Sequence, residues 1–452
     1  MTGSRKSSSD DYIFVNGRAV RADETAYLDV GTTPVPGQER SEDGKLKRRI
    51  RDLQESDAFA APDAQGERAV SLNETERQQA IEQHRFKRRC LIAGIALIAV
   101  ALFSLMLPHV EMTQTGARLY PPGEVLHCYQ LFLQKNVVPF FDPSQGTELA
   151  LRSVNAEITS LDYYEGIINR FGITVLDIIC GFMLAVSGML FQTSFRNPLA
   201  APSTLGATEG VNLGYLVFFL LGYNTMADNP AVYYLVVYGS GVASLAAVLL
   251  LSRYVNGAKR FNVFDMLLVG TVLAQLLNAI FLFFESMLQQ DQIDTIFMMQ
   301  SASGMVQSGY TYAAILIAAA VTLVPTFLMR FKLNLVSFPD EESRLLGVNP
   351  RRLRFAALAL GSIMVVAAVA TVGNVAMLSL AIPFLTRYMF GAEVGKQLTG
   401  NFFLGSLVLL VCSDLSTCIT VNGLSTPVGT LVTFVTMPFI AWMMVLQRRT
   451  WE

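Results

Sequence analysis

The chain has 452 residues, of which 52% are hydrophobic and 15% are charged, and its formal net charge is -2. Its mean hydropathy of +0.41 is too high for a soluble globular protein and is typical of a polytopic membrane protein. Lys and Arg are confined to the N-terminal segment and a few loops, so no basic face indicates nucleic-acid binding. The five cysteines have neither metal-ligand spacing nor a disulfide framework, so no metal site is predicted.

Residues 1–86 are polar, charged and poor in aromatic residues, and this composition predicts a disordered cytoplasmic tail. Near its end, Ser71 and Glu74 fit a capping box, so a helix is expected to run from there toward the membrane. The basic string at 84–89 places the N-terminus in the cytoplasm by the positive-inside rule. The first apolar run starts too late and is too long for a cleavable signal peptide, so it is expected to remain as an anchor.

Residues 87–452 contain ten apolar runs that reach or approach the length of about twenty residues needed to cross a bilayer as a helix. The predicted fold is therefore an all-α polytopic membrane protein with a transmembrane domain at 87–452. The eighth run is interrupted by Ser379, Pro383 and Thr386, and a broken helix at membrane depth fits a segment that lines a pathway. The predicted spans are 90–108, 171–192, 203–222, 232–252, 263–287, 309–329, 355–373, 375–390, 402–420 and 427–447.

The distribution of Lys and Arg orients these spans. Loops on the side of the N-terminus carry basic residues, whereas the later loops on the opposite side, at 223–231, 288–308 and 421–426, carry none. Both termini are therefore expected in the cytoplasm. One external loop, 109–169, is large, and one cytoplasmic loop, 330–354, is strongly charged.

A short turn is predicted between the second and third spans at Asn197, Pro198, Leu199 and Ala200. Pro198 has no N–H and disfavours helix at the residue before it, so the chain cannot continue as one helix through this point. The sequence therefore places a short cytoplasmic turn between two membrane helices.

The segment from Asp340 to Val348, between the sixth and seventh spans, predicts an amphipathic cytoplasmic helix. Gly347 is expected to end this helix and Pro350 to begin the next one. On charge alone, the segment is more typical of an ordinary basic inner loop.

The chain has no phosphate-binding loop of the G-x-x-x-x-G-K-[ST] type. The nearest string, 391–397, has the wrong spacing and no hydroxyl residue after its lysine. Any ATP-driven cycle therefore requires a separate ATPase subunit, and this chain is expected to be neither an enzyme nor a cofactor-binding protein.

Several strings together resemble the motifs of one transporter family. The string from Ser187 to Gly206 resembles SGxxxQxxxxNPLAxPxxLG, and the string 340–348 resembles DExAxxLGV. Three more matches follow the family order: 297–301 with WxxGS, 373–387 with GPIGFVGLIVPHIAR, and 424–439 with LPxGxxTxxxGxPxFxxLL.

Over about residues 165–447 the chain thus resembles the FecCD-type permeases, the membrane subunits of ABC importers for iron-siderophores, haem and vitamin B12. The resemblance implies a type II ABC importer permease in the bacterial cell membrane, present as a homodimer. It also implies two ATPase subunits, which bind ATP and Mg, and an extracellular substrate-binding lipoprotein. The cargo it implies is an iron complex, as siderophore or haem, or cobalamin.

The same resemblance implies roles for individual residues. Arg170 takes one of two docking positions for the binding protein, while Ile173 occupies the other. The residues implied in coupling to the ATPase are Asp340, Glu341, Leu345, Leu346, Gly347 and Val348. The residues implied along the translocation pathway are Met298, Met299, Gln300, Pro383 and Phe384.

The sequence departs from the family motifs at several positions. Gln300 replaces a Gly, Asn374 a Pro, and Ser379 a Gly, while Phe384 stands at a usual His and Cys418 at a frequent Arg. None of these positions bears on ATP chemistry, so the transport reading is unaffected. The departures leave the cargo open among a siderophore, haem and cobalamin.

Three carboxylates, Asp177, Glu285 and Asp414, fall in apolar runs, where ionisable residues are costly and often functional. A proton relay is one interpretation, and helix–helix hydrogen bonding or a position near the interface is the other. An ion-coupled secondary transporter that uses such carboxylates is the alternative function, although it predicts inverted repeats that are not detectable in the sequence.

Overall fold

The computed structural model describes residues 12–15, 18–21, 64–106, 122–136, 164–223, 228–256, 263–301, 309–421 and 424–449. The chain divides into two compact units, Met1–Ile81 and Glu82–Glu452. The helices are α1 (Ala64–Met106), α2 (Pro122–Asn136), α3 (Tyr164–Phe195), α4 (Ala207–Leu220), α5 (Pro230–Asn256), α6 (Val263–Glu285), α7 (Gln290–Ser301), α8 (Gly309–Val336), α9 (Asp340–Leu345), α10 (Pro350–Val372), α11 (Leu378–Phe390), α12 (Val394–Cys418) and α13 (Val428–Arg449). Two antiparallel strand pairs complete the described elements: β1 (Tyr12–Val15) with β2 (Arg18–Arg21), and β3 (Thr420–Val421) with β4 (Leu424–Ser425).

The first unit contains the β1–β2 pair, in which Tyr12 lies opposite Arg21. This pairing falls in the tail whose composition predicts disorder, and the remaining residues before Ala64 lie outside the described part of the chain. Helix α1 begins at Ala64, upstream of the predicted capping box at Ser71, and continues to Met106.

Ten apolar helices in the described part of the chain account for the ten predicted spans. Seven of them, α1, α3, α5, α6, α8, α10 and α12, are long and apolar enough to cross a membrane. The other three, α4, α11 and α13, are shorter apolar helices. The all-α polytopic fold is therefore confirmed. Helix α11, the span predicted to be interrupted, has only 13 residues and contains Pro383.

Helices α3 and α10 form the centre of the second unit. In each, 72% of the most apolar stretch is buried, against 11% in α1 and 17% in α6. Most of their buried apolar residues belong to one core, to which α4, α5, α8, α11 and α12 also contribute. The apolar faces that α1 and α6 leave exposed match the hydrocarbon interior of a bilayer.

Helices α3 and α12 cross at a pair of glycines. A Cβ atom at Gly181 would overlap the carbonyl oxygen of Gly405, and a Cβ atom at Gly405 would overlap that of Gly181. Small residues at a crossing let two backbones approach closely, which is a common basis for helix association in lipid. Beside the crossing, Ser406 Oγ donates a hydrogen bond to the Ile178 carbonyl oxygen at 2.7 Å.

Three of the described helices, α2, α7 and α9, lie outside the predicted spans. Helix α2 belongs to the large loop 109–169 and packs on the start of α3 through an apolar cluster that includes Val125, Leu131 and Ile167. Helix α7 falls in the loop predicted at 288–308 and was not expected as a helix.

Candidate functional site

The turn between α3 and α4 is held by its own asparagine. The side-chain oxygen of Asn197 accepts the N–H of Leu199 at 3.0 Å, and its carbonyl oxygen accepts the N–H of Ala200 at 3.1 Å. Arg196, just before it, has φ of 51°, in the left-handed region that ends a helix sharply. The predicted turn at Asn197–Ala200 is therefore a compact connection, and a single 3₁₀ turn, Pro202–Leu205, follows it.

The motif residues upstream of this turn fasten α3 to α11. A Cβ atom at Gly188 would overlap the carbonyl oxygen of Ser379 and press on Pro383. That carbonyl has no helical donor, because Pro383 four residues later has no N–H. One turn along α3, Gln192 Nε2 donates a hydrogen bond to the Leu380 carbonyl oxygen at 2.9 Å. The broken start of α11 is thus supported by the glycine and glutamine of the motif.

Helix α9 is anchored to its surroundings through its first residue, Asp340. The guanidinium of Arg354, in α10, contacts Asp340 Oδ1 at 2.6 Å, and that of Arg196 contacts the same oxygen at 3.0 Å. Ser343 is fully buried, and its hydroxyl donates to the Leu335 carbonyl oxygen at 2.7 Å. These contacts tie α9 to α8, to α10 and to the turn after α3.

The two guanidinium groups also control the ionisation of Asp340. Partial burial by itself would raise the pKa of this carboxyl, but the hydrogen bond and charge of Arg354, together with Arg196, outweigh burial and hold the pKa below its usual value. The carboxylate is therefore fully ionised at neutral pH and remains available to both arginines.

The other face of α9 presents two leucines to the outside. Leu345 is 88% exposed and Leu346 is 56% exposed, and Glu341 is exposed beside them. Gly347, with φ of 79°, ends the helix as predicted. Val348, which the resemblance implies as a coupling residue, is half-buried and packs against the main core. The exposed apolar group on this helix is the pair Leu345 and Leu346.

A cavity of about 640 Å³ lies between α7, the α10–α11 turn and α13. This volume is in the range of small-molecule sites. Of the five predicted pathway residues, Gln300 lines the described part of the cavity. Met298 is 40% exposed on α7, Met299 packs against the main core, and Pro383 and Phe384 lie inside α11. The lining residues are Phe297, Gln300, Ser301, Asn374, Met377, Pro427, Gly429, Thr430, Thr433, Phe434, Met437 and Pro438.

Arg170 lies in the protein interior rather than at a docking surface. Its side chain forms an ion pair with Asp414 and donates hydrogen bonds to the carbonyl oxygen of Ser104 at 3.3 Å and to its hydroxyl at 3.2 Å. The residue is only 1% exposed. A guanidinium enclosed by α1, α3 and α12 offers no surface to an external protein, so the structure corrects the docking role predicted for Arg170.

The three carboxylates of the apolar runs occupy different environments. Asp177 and Asp414 are buried, whereas Glu285 is the last residue of α6 and is half-buried.

Sequence reasoning missed Thr174, whose hydroxyl is 3.1 Å from that of Ser104 in the buried network around Arg170 and Asp414. A basic residue at the edge of one apolar run and an acidic residue inside another were the available signal for the pairing of Arg170 and Asp414. Among the described residues, no group of three or more His, Cys, Asp or Glu side chains is placed to hold a metal ion.

The ten apolar helices of the described chain, with a short leucine-bearing helix and a cavity beside the broken α11, define a multi-pass membrane protein. A family model described as the FecCD transport family matches residues 144–446. The chain belongs to the FecCD transport family, which confirms the resemblance drawn from the motifs.

Individual relatives agree with this membership. A probable iron chelatin transport system permease protein of Helicobacter pylori is 32% identical over 273 residues, which cover 60% of this chain and 79% of the relative. The hemin transport system permease protein HmuU of Yersinia pestis is 30% identical over 281 residues, which cover 61% of this chain and 81% of the relative. A solved chain described as a metal-chelate type ABC transporter in an inward-facing conformation has a TM-score of 0.61 at 19% identity, covering 79% of this chain and 99% of that one. This last similarity concerns the fold alone.

Proposed function

We propose that the chain is the membrane-spanning permease subunit of an ATP-driven ABC importer that takes up an iron complex. The observation that carries the proposal is α9, a short helix that exposes Leu345 and Leu346 while its first residue is held by two arginines. Exposed apolar side chains on a rigidly held helix are what a protein partner needs as anchors. The relatives named as iron chelatin and hemin permeases support the cargo class.

In this proposal, α9 docks into a separate ATPase subunit that binds ATP and Mg. Closure of the ATPase pair would move α9 as a rigid body, because Asp340 and Ser343 connect it to neighbouring elements. The motion would reach α3 through Arg196 and α10 through Arg354. The concentration of Arg and Lys on the face that carries α9 supports a cytoplasmic position for that face, and with it for both termini.

The assembly proposed is a homodimer of this chain with two ATPase subunits and an external substrate-binding lipoprotein. Two-fold pairing of the permease matches two copies of the ATPase. The burial of Arg170 leaves the lipoprotein to dock elsewhere, and the large loop 109–169, which carries α2, is the proposed surface.

The test is energy-dependent uptake of radioiron chelates by cells that carry the wild-type chain or Leu346→Glu. Placing a charge at the docking face is expected to lower uptake by at least about tenfold while the protein level in the membrane stays unchanged. The matched control is Tyr254→Glu, which places the same charge at a residue near the end of α5 that is 87% exposed and lies outside α9. Equal uptake by wild type and Leu346→Glu would exclude α9 as the coupling helix.

A further inference from the structure

Two of the positions at which this sequence departs from the family motifs meet at the wall of the cavity. The backbone N–H of Asn374 donates a hydrogen bond to the carbonyl oxygen of Gln300 at 3.1 Å. Both residues line the cavity. The corresponding motif letters are Pro and Gly, so a chain that follows the motifs has neither this N–H nor either carboxamide. Gln300 and Asn374, the two residues that depart from the motifs, are thus in direct contact and belong to the same part of the cavity wall.

The position of Asn374 is fixed from a third element as well. A Cβ atom at Gly429, the second residue of α13, would overlap the carbonyl oxygen of Asn374. The end of α7, the α10–α11 turn and the start of α13 therefore converge on Asn374. The backbone of Asn374 is thus held from two sides where this residue borders the cavity.

The side chains of Gln300 and Asn374 make no hydrogen bond within the described part of the chain. By contrast, two neighbouring hydroxyls in the lining are already engaged, since Ser301 Oγ donates to the Met298 carbonyl oxygen and Thr433 Oγ1 donates to that of Gly429. The two amides are therefore among the polar side-chain groups of the described lining that remain open to a ligand, together with the Thr430 hydroxyl.

The remainder of the lining indicates the charge of that ligand. No Lys, Arg, His, Asp or Glu is among the described lining residues, which include the apolar side chains of Phe297, Met377 and Met437. A strongly charged ligand would lose its hydration here without gaining an opposite charge, which is costly. A carboxamide supplies both donors and an acceptor and suits neutral carbonyl, hydroxamate or hydroxyl groups.

We infer that Gln300 and Asn374 form a specificity-determining amide pair that binds a metal chelate of low net charge through neutral oxygens on its outer surface. The inference rests on the proposed function and narrows its cargo. Among iron complexes, it favours an uncharged hydroxamate-type chelate over a porphyrin with two carboxylates or a polyanionic catecholate.

Direct binding to the purified full-length chain in detergent tests the inference separately from transport. The probes are ferrichrome, an uncharged trihydroxamate chelate, together with haemin and ferric enterobactin, a polyanionic catecholate. Wild-type protein is expected to bind ferrichrome more tightly than either anionic probe. Gln300→Leu and Asn374→Leu are each expected to weaken ferrichrome binding by about fivefold, because each removes one neutral hydrogen bond.

Gln134→Leu is the matched control, because it removes a carboxamide in the same way on α2, and Gln134 is not among the residues that line the cavity. It is expected to bind ferrichrome as the wild type does, and equal melting temperatures of all variants show that the fold is intact. The inference is overturned if ferrichrome binds no better than the anionic probes, or if the double variant Gln300→Leu/Asn374→Leu retains wild-type affinity. Binding without ATP-driven uptake would instead count against the proposed function.

Discussion

The carboxylate of Asp340 lies 3.0 Å from the guanidinium of Arg196, so the first residue of α9 contacts the turn that ends α3. Arg196 also donates to backbone carbonyl oxygens of Val336 and Phe338, at the end of α8 and just after it. One arginine therefore holds both the helix proposed to meet the ATPase and the segment that leads into it. A force applied to α9 has a direct path to α3, the central helix of the fold.

Replacement of Asp340 by Asn is expected to loosen coupling without removing α9. The amide cannot satisfy two guanidinium groups as a carboxylate does, so both Arg196 and Arg354 lose a charged partner. In reconstituted complexes, uptake per ATP hydrolysed is expected to fall several-fold while ATPase binding persists. Lys396→Gln, which removes an exposed i,i+3 pair with Glu393, is the control and should leave this ratio unchanged.

The stability of the folded chain is expected to depend on pH through the ionisation of Asp340. Its pKa is lower in the folded chain than in the unfolded one, so its ionised form stabilises the fold above the ordinary value of about 4. This contribution is lost as the pH falls through that value toward the lowered pKa. The melting-temperature gap between wild type and Asp340→Asn should therefore be constant near neutral pH and close in acid. A gap that widens on acidification would contradict the assignment.

The close contact at Gly188 is expected to tolerate no side chain. Gly188→Leu would drive a side chain into the Ser379 carbonyl oxygen and Pro383, and overpacking of this kind typically costs about 1–3 kcal/mol or more. Gly239→Leu is the control, because no atom lies within 4 Å of a Cβ atom built at Gly239. Thermal unfolding in detergent should separate the two variants clearly, and equal melting temperatures would show that α3 and α11 are not in contact.

The buried pair of Arg170 and Asp414 is expected to behave non-additively. Removal of one partner leaves the other charge buried, at a cost of about 3–5 kcal/mol. Arg170→Met and Asp414→Leu should each lower the free energy of unfolding by this order, and the double variant should recover most of the loss. If the two effects simply add in a double-mutant cycle, the side chains are not coupled.

The spans could be predicted because hydrophobic length is a local signal. All ten apolar runs recur as helices, and the end of α9 at Gly347 follows from the left-handed backbone of that residue. Helix α7 was missed because Gln290–Ser301 mixes acidic, amide and apolar residues, and neither its length nor its hydropathy marks it. It owes its place to contacts with distant parts of the chain, such as the bond from Asn374 to Gln300.

The error at Arg170 has a similar cause. A charged residue at the start of a span is equally compatible with an exposed docking group and with a buried ion pair, and the two differ only in what lies opposite. That partner, Asp414, is 244 positions away and reaches Arg170 only once α12 has packed on α3. Pairings across such distances are set by tertiary structure, which no local pattern in the sequence records.

The most direct measurement of the central claim is a mild-detergent pull-down of the tagged chain from its native cells, with partners identified by mass spectrometry. The account predicts recovery of a P-loop ATPase at about one copy per permease, and its loss from the Leu346→Glu variant but not from Tyr254→Glu. Recovery of the chain without an ATPase, in a detergent that preserves known ABC complexes, would contradict the account and favour an ion-coupled transporter.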